Sequence, residues 1–165
     1  MEYISSDTNV WIDFSVIQRM DYPFRLPYTY IMFHEAIENE MLSPGLSEAV
    51  SYGLVPVKLT TEEFFLAEDY GGKYIRLSLY DRIALAIAKK REIVLLTGDG
   101  ALRKAAAQEN VKLVGTLGIL DQLLSTRKIN VNEYIYCLEG LMADRTRRLP
   151  RKELEERIRS VTETK

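Results

Sequence analysis

The chain has 165 residues, enough for one domain with a sizeable buried core, and its 47% hydrophobic and 28% charged content is ordinary for a globular protein. Its 22 basic and 24 acidic residues nearly balance, so net charge decides neither for nor against nucleic acid. The single cysteine, Cys137, excludes an internal disulfide and a multi-cysteine zinc site and fits a reducing cytoplasm. No apolar run approaches the roughly 20 residues that span a bilayer, and a first strand starting almost at Met1 leaves no room for a signal peptide. A soluble, cytoplasmic protein is expected.

In chain order, residues 2–6 form a β-prone start, and 9–20 read as a helix with Val10, Phe14 and Ile17 on one side. Residues 28–33, rich in aromatic and β-branched side chains, predict a strand, and 34–42 a helix that Pro44-Gly45 breaks. A short helix at 46–51 leads into a strand at 54–58 and a Thr-capped helix at 61–69. Gly71-Gly72 reads as a loop before the strongest helix, 78–90, whose Leu79, Ile83, Leu85, Ala86 and Ile87 cover a wide apolar face. The run 93–96 is a buried central strand; a helix at 101–109, a short strand at 112–114 and a helix at 117–125 follow.

This alternation predicts an α/β fold, a mainly parallel sheet with helices on both faces. The tail reads as a helical hairpin, 131–143 and 150–161, around the basic turn Arg145-Thr146-Arg147-Arg148. The expected organisation is a catalytic domain over 1–127 with a helical extension, 128–165, packed on it and able to serve dimerisation.

Four acids carry the chemistry: Asp7, Glu40, Asp81 and Asp99. Asp7 and Asp99 follow strands, where open α/β sheets bind ligands, although each also suits a helix N-cap. Asp81 lies in the first turn of its helix, where the macrodipole alone favours a negative charge. Glu40 borders the buried side of its helix by phase, beside Ala36, Ile37 and Met41; Glu35 is the runner-up and Glu38 faces water. A cluster of carboxylates without a basic partner resists ionising, and a hard divalent cation, Mg²⁺ or Mn²⁺, relieves that repulsion. The pattern points to metal-dependent phosphodiester hydrolysis.

In this order the motifs resemble the PIN-domain family. Ser6-Asp7-Thr8-Asn9-Val10-Trp11-Ile12-Asp13 is similar to its opening acid, residues 77–86 to its third-acid helix and residues 95–103 to its fourth-acid turn. Its second acid maps onto Glu40-Met41, where the family usually has Leu after the acid. The resemblance covers about three quarters of the chain. It implies a three-layer α/β/α fold and a Mg²⁺- or Mn²⁺-dependent endoribonuclease acting on RNA. VapC-type toxins, each inhibited by an antitoxin and often dimeric, are the commonest small members.

On this reading Asp7, Glu40, Asp81 and Asp99 hold one or two metal ions, and Thr8, Asn9 and Thr97 orient the carboxylates by hydrogen bonding. Arg82, Arg103 and Lys104 are the nearest candidate RNA contacts, with the tail arginines and Lys152 as further ones. Lys89, Lys90 and Arg91 suit a helix C-terminus, His34 has no catalytic role, and Trp11 and the ten tyrosines belong to core and interface. Two rivals remain: a PIN-fold binding module without catalysis, and a structure-specific DNA nuclease. A phosphatase is disfavoured, since Asp7 lacks an Asp-x-Asp partner and no P-loop is present.

Overall fold

The computed structural model describes residues 2–40, 45–147 and 149–163. Met41, Leu42 and Pro44, used above to phase and end the second helix, and Arg148 of the basic turn lie outside the described residues.

The apolar, β-branched runs form one parallel sheet in the order β3-β2-β1-β4-β5: β1 (Glu2–Ser6), β2 (Tyr28–Phe33), β3 (Val55–Val57), β4 (Val94–Leu96) and β5 (Leu113–Val114). Because β1 pairs with both β2 and β4, the connections leave it in opposite directions and a crevice opens at its carboxyl end. The pleat sends alternate residues to opposite faces. Tyr30 and Met32 join a core with Trp11, Phe14, Leu120 and Leu138, whereas Ile31 joins one with Tyr70, Ile83, Leu85 and Ile87.

The first face carries α1 (Thr8–Val16), α2 (His34–Asn39), α3 (Leu46–Tyr52), α7 (Thr116–Ser125), α8 (Val131–Ala143) and α9 (Arg151–Glu163); the second carries α4 (Thr61–Lys73), α5 (Leu79–Arg91) and α6 (Gly100–Gln108). The three-layer α/β/α architecture is the one expected. Trp11 is fully buried, stacks on Phe24 with centroids 5.5 Å apart and donates its indole N–H to Ser6 Oγ at 3.1 Å. It is a satisfied core residue.

The helical tail shares the first core. Tyr134, Leu138, Leu141 and Leu154 are buried in it, and Arg157 of α9 forks onto Asp121 of α7, at 2.9 Å from Nη2 to Oδ2. Among the described residues no helix is long and apolar enough to cross a membrane.

Three local expectations change. Helix α1 stops at Val16, not near Met20, because Gln18 takes a left-handed φ of 56°. A 3-10 turn, Pro23–Arg25, was not anticipated. Gly71 and Gly72 do not break the chain but lie inside α4. A Cβ on Gly71 would sit 2.3 Å from Arg82 Nη1, so glycine lets that guanidinium lie against α4 without shifting.

Candidate active site

Strand register builds the site. Ser6 pairs with Leu96, so the next residues, Asp7 and Thr97, stand side by side just past the sheet. The Asp7 amide donates to the Leu96 carbonyl at 3.2 Å, and the Thr97 hydroxyl donates to Asp7 Oδ2. The same Thr97 oxygen accepts the Asp99 amide N–H at 3.1 Å.

Capping and site geometry are both present. Asp7 Oδ1 accepts from the Asn9 amide at 2.8 Å at the start of α1, and Asp99 Oδ2 from the Leu102 amide at 2.8 Å at the start of α6. Asp81 closes a capping box with Ser78, one oxygen accepting the Ser78 amide at 3.2 Å. Asp81 and Asp99 each keep one oxygen without a hydrogen bond to any described residue. Glu40 is the C-cap of α2, beyond its last helical residue, and accepts the Thr8 hydroxyl.

Asp7, Glu40 and Asp81 line one cleft of about 410 Å³ with Thr8, Asn9 and Tyr80. Asp99 lines an adjoining hollow of about 390 Å³ that shares Asn9. The acids thus meet across two adjoining spaces and not in a single pocket. Glu35 is exposed and outside the cleft; Glu38 is exposed beside the His34 ring, 3.5 Å away.

Burial dominates the electrostatics. Asp7 is only 6% exposed, which pushes its pKa up to about 7; the negative charge of Asp81 adds to the rise, and the Thr97 hydroxyl opposes it. Asp81 is likewise raised, first by burial and further by Asp99, against its hydrogen bonds from Ser78. None of the four acids is in an ion pair among the described residues.

No group of three or more acidic, histidine or cysteine side chains among the described residues is arranged to hold a metal by itself. The donor chemistry still fits Mg²⁺, which is usually held by one or two carboxylates while water and phosphate oxygens complete its shell. Asp7 and Asp81, whose charges repel and which have no ion-pair partner among the described residues, are the two carboxylates that could hold one.

The candidate cations divide. Arg103 and Lys104 are exposed on the first turns of α6 with no ion pair among the described residues, open to a phosphate. Arg82 is only partly exposed: Nη1 donates to the Ala67 carbonyl at 3.3 Å, and Nε is buried without a partner among the described residues. The phase of α5 turns it into the α4–α5 seam. Arg91 also serves more than its helix end, since it clamps the buried Glu63 at 2.7 Å.

Sequence reasoning missed Tyr80, a cleft residue hydrogen-bonded by the Asn39 side chain, and the ion pair of Asp13 with Arg147. Position beside Asp81 was the one available signal for Tyr80. Nothing local announces the second pair, 134 positions apart.

A parallel sheet with acids gathered at its switch point defines an α/β protein with a candidate site in the crevice at the carboxyl ends of its strands. The sequence profile of the PIN domain matches residues 3–163, so the chain belongs to the PIN-domain family, whose members are generally nucleases using divalent metal ions. Comparisons with curated proteins and with solved structures gave no match.

Proposed function

We propose that the protein is a Mg²⁺- or Mn²⁺-dependent endoribonuclease. One observation carries the reading: a nearly buried aspartate, Asp7, sits at the switch point of the sheet beside a second carboxylate and with no ion-pair partner among the described residues. Folding around such a group is costly unless a ligand of opposite charge stabilises it.

Asp7 and Asp81 would hold the ion, with Asp99 and Glu40 reaching it directly or through water. When bound, a divalent ion supplies Lewis acidity at the phosphate and acidifies a water near neutral pH. Thr97 holds the Asp7 carboxylate in place and links it to the Asp99 turn; Thr8 donates to the Glu40 carboxylate. Arg103 and Lys104 would meet the flanking RNA backbone and supply a salt-dependent share of binding.

The partners implied are RNA, an inhibiting antitoxin and a second copy of the chain. Support for a protein partner comes from Phe64 and Phe65 of α4, 50% and 60% exposed. A cytoplasmic setting agrees with the lone buried Cys137.

The test is incubation of labelled RNA with purified protein, first with Mn²⁺ and then with chelator. Cleavage that chelator stops, and that Asp7→Asn and Asp99→Asn abolish, supports the reading. RNA binding without any cutting overturns it in favour of a binding module.

A further inference from the structure

We infer that Arg147 provides a second nucleic-acid contact, taking the backbone phosphate next to the one being cut, in the hollow beside Asp99. The inference rests on the ribonuclease reading of the cleft and names a residue of the helical tail as part of its binding machinery.

Asp13, on α1, is 3% exposed. Its Oδ2 accepts the Thr116 hydroxyl at 2.6 Å and its Oδ1 the Arg147 Nε–H at 2.7 Å. Arg147 Nη2 also donates to the Asn9 carbonyl at 3.3 Å. These bonds pin the turn between α8 and α9 against the start of α1, two residues past Asp7. Among the described residues they occupy two of the five N–H donors of the guanidinium, and the other three have no acceptor there.

The side chain is 13% exposed, and what it exposes lines the hollow with Asn9, Asp99 and Leu149. Asn9 lines the acidic cleft as well, so a strand threaded through the cleft continues past Asn9 to Arg147. Gly98 and Gly100 line the same hollow. Neither takes a left-handed φ, and a Cβ on either meets nothing within 4 Å. No internal packing asks for glycine there, whereas close approach of a ligand backbone does.

A purely structural role explains less. A buried ion pair is weak evidence for stability, since apolar side chains of similar volume often hold a turn as well. What an apolar substitute cannot do is present a planar fork to a phosphate oxygen. Arg147 also offsets Asp13, which would otherwise leave the hollow with two acids facing a phosphate.

The experiment uses the full chain and a single-stranded RNA cut at one mapped bond. With Arg147→Gln, KM is expected to rise about tenfold at nearly unchanged kcat. The slope of log binding constant against log salt should also fall by about 0.7, as for one lost phosphate contact on a single strand. Arg147→Lys keeps the charge and should keep the slope. An independent arm leaves the protein unchanged: a neutral methylphosphonate at a phosphate beside the cut should weaken wild-type binding about tenfold at one of the two flanking positions.

A folded Arg147→Gln with wild-type KM and slope overturns the inference while wild-type cleavage leaves the ribonuclease reading standing. Should Arg147→Gln not fold, indifference of the wild type to both neutral phosphates overturns it equally. A wild type that neither binds nor cuts RNA ends both.

Discussion

The Thr97 hydroxyl donates to Asp7 Oδ2 while its oxygen accepts the Asp99 amide N–H at 3.1 Å. One side chain therefore ties the ends of β1 and β4 and orients the first acid from the turn that carries the fourth. It is also the strongest influence holding the Asp7 pKa down against burial.

Replacing that hydroxyl tests the link. Thr97→Val keeps the shape and removes the donor, so the Asp7 pKa should rise further. A hydrogen bond to a charged group is worth about 1.5–3 kcal/mol, equivalent to about one to two pH units. The acidic limb of the pH–rate profile should move upward by that amount, with activity recovering at high pH. An unmoved limb removes Thr97 from this role.

Asp7 also sets a pH dependence of stability. Its folded pKa, about 7, lies above the ordinary 3.8, so between these values the folded state binds more protons than the unfolded one. Stability from this group is fully present below pH 3.8 and is lost as pH rises through 7. The ceiling is on the order of 4 kcal/mol, from about 1.36 kcal/mol per pH unit. Asp7→Asn should abolish cleavage yet resist urea better than wild type at pH 8, with little difference at pH 4. Glu63 and Glu109, held below the ordinary carboxylate range, lose stability toward pH 4, so only the difference between Asp7→Asn and wild type isolates this group. A metal-free difference that is the same at pH 4 and pH 8 contradicts it.

Metal should reverse that penalty. Mn²⁺ at a hundred times its Kd adds about 2.7 kcal/mol to the folded state. Because the ion binds the ionised acids, the rise in Tm should be larger at pH 8 than at pH 5.5. It should shrink in Asp81→Asn, which lacks the coupled charge. A rise independent of pH and of Asp81 places the ion elsewhere.

Glu40 and Glu35 separate by position. Glu40 lines the cleft and accepts from Thr8, whereas Glu35 is exposed. Glu40→Gln should cost at least tenfold in kcat/KM, on the order of the loss expected for a ligand or its support. Glu35→Gln should match wild type. The reverse result transfers the second acid to Glu35.

Gly71 and Arg82 form a pair whose effects are not additive. In wild type, Gly71→Ala drives a Cβ against Arg82 Nη1, so the guanidinium must shift from its Ala67 hydrogen bond and the gain from alanine should be offset. With Arg82→Ala in place, the same change should stabilise by up to about 1 kcal/mol, the helix preference of Ala over Gly. A urea double-mutant cycle measures this, and additive effects refute the contact.

Much of this molecule was written locally. The apolar runs at β1, β2 and β4 and the wide face of α5 specify a parallel sheet under helices, because strand and helix periodicity act over a few residues. The acids after β1 and β4 and the Asp81 turn were legible for the same reason: Asp7, Asp81 and Asp99 cap helices with short-range hydrogen bonds. Glycine misled at Gly71 because its purpose is a neighbour on α5, invisible to any local rule.

The tertiary structure alone decided which cations face outward, turning Arg82 into a seam and leaving Arg103 and Lys104 exposed. It alone brought Arg147 to Asp13 and made the tail a wall of the hollow beside Asp99. The physical division is one of range: caps and periodic patterns are settled among neighbours along the chain, but a buried charge finds its partner only after packing has chosen which faces meet.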